Sequence, residues 1–301
     1  MKFNKISVID NCGLTFPELD KIIELSNEPV SIYSDFPLSE KEIIQRISDS
    51  DCVLVSWHTN ISAEIIRACP SVQFIGMCCS LYDENSANVD ISESRKRGIE
   101  VQGVRDYGDE GAVEFIFAQL IFLLKGLGKH RWRHEATELK NKTIGIIGFG
   151  SLGQMVAKTA YHFGMEVFYY SRTRKPNLEG PNLTYLPLDQ LLINCEIITT
   201  HLPKNTTLLH RREFKILKKN AILINTSLGL TFDKDAFIQW LLGDKTSFAI
   251  LDGDGMGNFH DEFTQVENVI MSEQFAGFTL EAKKRLSEKV LLYLINYLSQ
   301  K

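Results

Sequence analysis

The sequence predicts an α/β protein built on two doubly wound parallel sheets. Three observations carry this. The chain has 301 residues, and at about 100–200 residues per domain that is enough for two domains. Short apolar runs alternate with helically spaced stretches along its length. Midway, an apolar strand runs into a glycine turn and then into a helical pattern.

In the first hundred residues, apolar runs at 6–9, 30–33, 52–55 and 74–76 read as buried strands. Segments 19–25, 40–47 and 63–68 between them carry helical spacing. Strands that alternate with helices form a parallel sheet covered on both faces. The most apolar segment, a helix over 112–124, is interrupted by Gln119 and followed by Lys125. A stretch of about 10–14 apolar residues is too short to span a bilayer, so it reads as a buried helix, one that a second subunit could share.

A polar stretch over 129–135 follows, and a second alternation begins at Thr143. Its strands are expected at 143–147, 166–170, 197–200, 221–224, 248–251 and 268–271. The final segment places Leu286, Val290, Leu294 and Leu298 at four-residue spacing, an amphipathic helix packed on a core. There is no internal repeat, low-complexity tract or long linker.

Thirty-eight acidic residues against 33 Lys and Arg give a net charge of −5, with no block of five like charges. Non-specific attraction to nucleic acid or to an anionic membrane is therefore not expected. The first ten residues lack a secretory signal, which points to the cytoplasm. Six scattered cysteines without a C-x-x-C read as reduced core thiols, the vicinal Cys78 and Cys79 included. His130 and His134 have the i, i+4 spacing of a helical metal pair but no third ligand, so no metal is expected.

The sharpest local signal is Gly148-Phe149-Gly150-Ser151-Leu152-Gly153, a G-x-G-x-x-G preceded by a strand and followed by a helix to Phe163. Gly148 permits a tight turn, Gly150 lets a pyrophosphate approach the backbone, and Gly153 lets the helix pack closely on the sheet. The helix start supplies N–H groups and a positive dipole end. A turn that binds nothing is the plain alternative. At the end of the next strand, where a carboxylate would hold the ribose of NAD, the chain reads Ser171-Arg172-Thr173-Arg174. A hydroxyl followed by two arginines suits a 2′-phosphate, so NADP(H) is expected over NAD(H), against the alternative of a solvated basic loop.

Residues 138–143 leading into this turn, the run Cys195-Glu196-Ile197-Ile198-Thr199-Thr200-His201-Leu202-Pro203, and the run 217–227 ending Asn225-Thr226-Ser227 together resemble the D-isomer-specific 2-hydroxyacid dehydrogenase family. The resemblance covers most of the chain. It implies two Rossmann-like domains, a cofactor domain over 107–278 inserted into a substrate domain made of 1–106 and 279–301, and a homodimer formed largely through the cofactor domains. It also brings His201, Leu202, Pro203, Thr226, Ser227 and Asp252 to the cofactor.

The family's chemistry uses an Arg to clamp the substrate carboxylate and a His, held by a Glu, to exchange a proton as hydride moves. The matching positions here are Leu228, Gln274 and Gly257, unless a register shift brings in Asp254 or Glu262. The family's glycine-rich substrate loop matches residues 76–83, where Cys79 and Leu81 stand at glycine positions. An efficient 2-hydroxyacid dehydrogenase is not expected from such a set, because a lost general acid/base removes about 10²–10⁴ in rate.

Substitute polar groups are Arg105, Tyr107, Asp109 and Glu110 at the expected crossover between domains, with Trp57 and His58 after the third strand. Each also has a plain reading, as a solvated loop or a satisfied imidazole. Three functions remain in view: an NADPH-dependent reductase of a small molecule other than a 2-oxo acid, for example a C=N compound; a 2-hydroxyacid dehydrogenase of the glyoxylate or hydroxypyruvate reductase type with relocated residues; and an inactive NADP(H)-binding regulator.

Overall fold

The computed structural model describes residues 1–301. The chain divides into two compact units, Met1–Tyr107 with Thr279–Lys301, and Gly108–Phe278.

The first unit begins with strand β1 (Ile6–Val8), helix α1 (Phe16–Ile23), β2 (Ser31–Ile32), α2 (Glu40–Ile47), β3 (Cys52–Val55), α3 (Ala63–Ala68), β4 (Phe74–Ser80), α4 (Ile91–Lys96) and β5 (Glu100–Val104). Ser39, Ser62 and Asp90 cap α2, α3 and α4 by accepting main-chain N–H bonds, which ends each preceding loop at a defined residue.

The second unit runs α5 (Asp109–Lys125), β6 (Thr143–Ile147), α6 (Ser151–His162), β7 (Glu166–Tyr170), β8 (Leu183–Tyr185), α7 (Leu188–Asn194), β9 (Ile197–Thr200), α8 (Arg211–Ile216), β10 (Ile222–Asn225), α9 (Lys234–Gly243), β11 (Phe248–Leu251), α10 (His260–Thr264) and β12 (Val269–Met271). Helix α11 (Leu280–Ser299) returns to the first unit.

Both sheets are wholly parallel, in the orders β2-β1-β3-β4-β5 and β12-β11-β10-β9-β6-β7-β8. The expected α/β class with two doubly wound parallel sheets is what the chain adopts. The strands not foreseen are β5 and β8. Both are edge strands, half-exposed, with Gln102-Gly103 in one and only three residues in the other, so neither presents an apolar run.

In the second sheet successive residues point to opposite faces, and both faces are buried. Ile144, Ile146, Ile197, Ile222, Ile224 and Ile250 pack against Ile116, Leu120 and Val156 of α5 and α6. Ile147, Ile198, Leu223, Ala249 and Leu251 pack instead on Leu191, Phe237 and Phe263. In the first unit, Leu286, Val290 and Leu294 of α11 lie on Phe3, Leu54 and Phe74, so the four-residue spacing marks a core face. Helix α5 buries eight of its 17 residues, Ile116 and Leu120 among them, and leaves Phe122 53% exposed. All six cysteines are buried, and none is in a disulfide.

Candidate functional site

Because the second sheet is parallel, the ends of its strands lie along one edge. In spatial order they place Gln274 beyond β12, Asp252 after β11, Thr226 after β10, His201 after β9, Gly148 after β6 and Ser171 after β7. The chain winds outward in both directions from β6 and β9, which makes this edge the switch point where such sheets bind ligands.

Steric fit fixes the glycine turn. Gly148 has φ +96°, and a Cβ there would stand 2.0 Å from the His201 carbonyl oxygen. A Cβ on Gly153 would meet the Gly148 carbonyl at 2.2 Å, so the helix start and the strand end touch through bare backbone. Gly150 differs: nothing lies within 4 Å of its Cβ position, and it begins α6 without a side-chain cap. The first N–H groups of a 12-residue helix thus open onto space. Further along the edge, His201 Nδ1 and Thr226 Oγ1 are buried polar atoms without a partner. A bare backbone cradle, uncapped N–H groups and two orphaned polar atoms fit a phosphate-bearing dinucleotide.

Burial holds His201 neutral, with its pKa pushed down to about 3, and Nε2 lies 3.1 Å from Thr199 Oγ1. Leu202 donates its N–H to Ser227 Oγ, which in turn donates to the Thr200 carbonyl, tying the β9 and β10 loops together. Pro203 continues that loop, half-buried. Asp252 is buried and accepts N–H bonds from Gly255 (2.7 Å) and Ala276 (2.8 Å); desolvation outweighs these bonds and raises its pKa to about 6.

At the β7 end an arginine has a carboxylate partner within its own loop. Arg174, expected to face a phosphate, is bound instead to Glu179 through Nε–Oε1 (2.8 Å) and Nη2–Oε2 (2.6 Å). Ser171 Oγ donates to the Thr173 carbonyl, and Arg172 and Thr173 are exposed. Lys175, which sequence reasoning did not single out, reaches back with Nζ 2.6 Å from the Phe149 carbonyl inside the glycine turn. Its main-chain N–H bonds to Tyr169 Oη, while Tyr169 donates to Glu179 and stacks on Phe149 with centroids 4.1 Å apart.

Asn225 was also passed over. Fully buried at the end of β10, it accepts from Thr200 Oγ1 and the Ser227 N–H and donates to the carbonyls of Gly229 and Gly255. It therefore sets three loops at once. A polar residue closing an apolar strand was its signal.

Leu228, Gly257 and Gln274 stand on the loops after β10, β11 and β12. Leu228 is half-buried. Gly257 has φ +57°, and its Cβ direction faces Phe259 and Leu230 at 3.7 and 3.8 Å, an apolar surround. Gln274 is exposed; its carbonyl accepts the Gly253 N–H at 3.0 Å and its own N–H bonds to Ser272 Oγ. Glu262 pairs with Lys234, and the Asp254 carbonyl accepts the N–H groups of Gly229 and Gly257.

In the first unit, His58 is exposed, its ring 4.6 Å from Phe36 and 4.7 Å from Trp57. Arg105 donates to the carbonyls of Leu81 and Tyr82 and lies over the Tyr82 ring, tying the loops after β4 and β5 together. The Tyr107 carbonyl accepts from Arg285 Nε. No helix is long and apolar enough to cross a membrane.

A family model, D-isomer specific 2-hydroxyacid dehydrogenase, NAD binding domain, matches residues 118–275, more than half of the chain. The chain belongs to the D-isomer-specific 2-hydroxyacid dehydrogenase family. At that level it is a nicotinamide-dependent oxidoreductase with a Rossmann domain. A glyoxylate reductase of Thermococcus litoralis is 30% identical over 277 residues, 85% of this chain and 82% of the relative. A hydroxypyruvate reductase of Blautia hydrogenotrophica is 29% identical over 269 residues, 82% of each. Among solved structures of this dehydrogenase architecture, an acyclic imino acid reductase in complex with NADPH and D-Arg is 25% identical, with a TM-score of 0.84 over 99% of this chain and 98% of that one.

Proposed function

We propose that this 2-hydroxyacid dehydrogenase family member is an NADPH-dependent reductase of a C=N substrate rather than of a simple 2-oxo acid. The observation that carries the reading is a contrast along one sheet edge. The loop after β6 keeps the bare backbone turn of Gly148, Gly150 and Gly153, while the loops after β10, β11 and β12 present Leu228, Gly257 and Gln274 where the family resemblance calls for a clamp, an orienting carboxylate and an acid/base.

When bound, the cofactor supplies hydride. In the proposed arrangement Gly148, Phe149, Gly150, Ser151, Leu152 and Gly153 hold its pyrophosphate with main-chain N–H groups. Ser171 and Arg172 face the 2′-phosphate, with Thr173 beside them. Lys175 adds a cation that is already docked on the turn. His201, Leu202, Pro203, Thr226, Ser227 and Asp252 shape the nicotinamide end.

A 2-oxo acid needs a proton delivered to its carbonyl oxygen during reduction, and an amide side chain such as Gln274 cannot deliver one near pH 7. A protonated imine already carries that proton and its positive charge. It therefore asks no general acid of the loops after β10, β11 and β12, where Leu228, Gly257 and Gln274 stand. The likeness to the imino acid reductase supports this choice. The second reading, a glyoxylate or hydroxypyruvate reductase, is favoured by the names of the relatives. Exposed Phe122, Leu127, Tyr161 and Phe163 on the second unit support a homodimer, and six cysteines outside any disulfide support a reducing compartment such as the cytoplasm.

The test follows NADPH oxidation across acyclic and cyclic imines, glyoxylate and hydroxypyruvate. Turnover of imines well above that of both oxo acids is expected. Oxo-acid turnover equal to or above that of every imine would transfer the assignment to the second reading.

A further inference from the structure

The amino-terminal edge of the second sheet, away from the glycine turn, carries a basic cavity of about 540 Å³ lined by Arg131, Arg133, His134 and Lys245 around Trp132 and Phe248. Phe248 opens β11, so the cavity is separated from the carboxyl edge by a four-residue strand, roughly 13 Å.

The fold sets these cations in place. Trp132 is buried; its main-chain N–H bonds to the Leu123 carbonyl and its indole N–H to the Asn220 carbonyl at 2.7 Å. The stem of Arg131 packs on Gly126, whose left-handed turn ends α5; a Cβ there would stand 2.7 Å from Arg131 Cδ. Arg133 lies 4.1 Å from the Trp132 ring centroid and pairs with Glu196 at 2.6 Å, while no ion pair engages Arg131 or Lys245. Asp244, the carboxylate nearest Lys245 in the chain, is already bonded to the N–H groups of Asn220 and Thr246 and to Ser247 Oγ.

We propose that this cavity binds a small multivalent oxyanion, a phosphate ester or a polycarboxylate. Exposed Arg131 and Lys245 place two positive charges on one concave surface, with His134 as a further hydrogen-bonding group, in a chain whose net charge is −5. Arg131 offers a planar two-pronged donor and Lys245 a compact charge, the pair of donors that oxyanions take.

Isothermal titration of pyrophosphate and of citrate into the full chain, saturated with NADPH so that the glycine turn is occupied, tests the proposal at ionic strength held constant with KCl. One saturable site is expected. Pyrophosphate binding more tightly than citrate identifies the phosphate class, and the reverse identifies the polycarboxylate class. Arg131→Ala and Lys245→Ala should each weaken binding about tenfold or more, with NADPH affinity, read by nicotinamide fluorescence, unchanged. The proposal fails if neither anion binds, or if either variant binds as tightly as the parent.

Discussion

Arg174 and Glu179 form a two-pronged ion pair beside the glycine turn, and Tyr169 donates its hydroxyl to the same carboxylate. The pair turns one of two neighbouring arginines away from the ribose end of the proposed cofactor site. Glu179→Gln keeps an acceptor for Tyr169 but loosens the arginine. The Kd for NADPH should fall about three- to tenfold in this variant while that for NADH stays put. Arg172→Ala should raise the NADPH Kd about tenfold or more. Fluorescence titration of both nucleotides decides; equal effects on NADH would remove the 2′-phosphate from the explanation.

The three glycines of the turn should respond differently. Gly148→Ala and Gly153→Ala push a methyl into backbone oxygens at 2.0 and 2.2 Å and should lower the unfolding free energy by several kcal/mol, with loss of cofactor binding. Gly150→Ala has φ −77° and open space, so its melting temperature should stay near that of the parent while NADPH affinity drops at least tenfold. Melting curves with and without NADPH separate the two kinds of loss.

Two buried groups titrate in opposite senses. Asp252 has a native pKa of about 6 against an ordinary 3.8, so the native state holds a proton that the unfolded chain releases. Its contribution lowers stability as pH rises from about 4 to about 6, by roughly 3 kcal/mol in all. His201 has a native pKa of about 3 against 6.5, so the unfolded chain takes up a proton that the native state refuses. Its contribution is present above pH 6.5 and is lost as pH falls toward 3. Relative to the parent, Asp252→Asn should therefore gain stability as pH rises from 4 to 6, and His201→Gln should gain stability as pH falls from 6.5. Urea melts at half-unit pH steps give both slopes.

Leu228→Arg with Gln274→His should raise glyoxylate turnover about 10²–10⁴-fold over the parent if these positions face the substrate. Gly257→Glu should not help, because φ +57° strains any side chain there and the new carboxylate would enter the Phe259–Leu230 surround. An unchanged glyoxylate rate in the double variant would argue that the loops after β10 and β12 do not supply the reacting groups.

The sheets and the glycine turn were legible because both are local. Alternating apolar runs name their own strands, and Gly148, Gly150 and Gly153 sit next to the strand and helix they serve. Ser171 to Arg174 could be read for charge but not for partner, since Glu179 lies beyond a turn and Lys175 folds back across 26 residues to Phe149. The contacts of Arg105 were hidden for the same reason: its acceptors are carbonyls more than twenty positions earlier, and main-chain acceptors leave no mark in a sequence. Asn225 joins three loops through bonds that only the folded sheet brings within reach.

The distribution of the buried thiols has a practical consequence. Cys12, Cys52, Cys69, Cys78 and Cys79 belong to the first unit and Cys195 alone to the second. A sulfhydryl reagent can reach none of them without an opening of the chain, so labelling rates become a clock for local unfolding. Mass spectrometry of the labelled chain would time the two units separately, through five chemical reporters in one and a single reporter at the base of β9 in the other, with no residue changed.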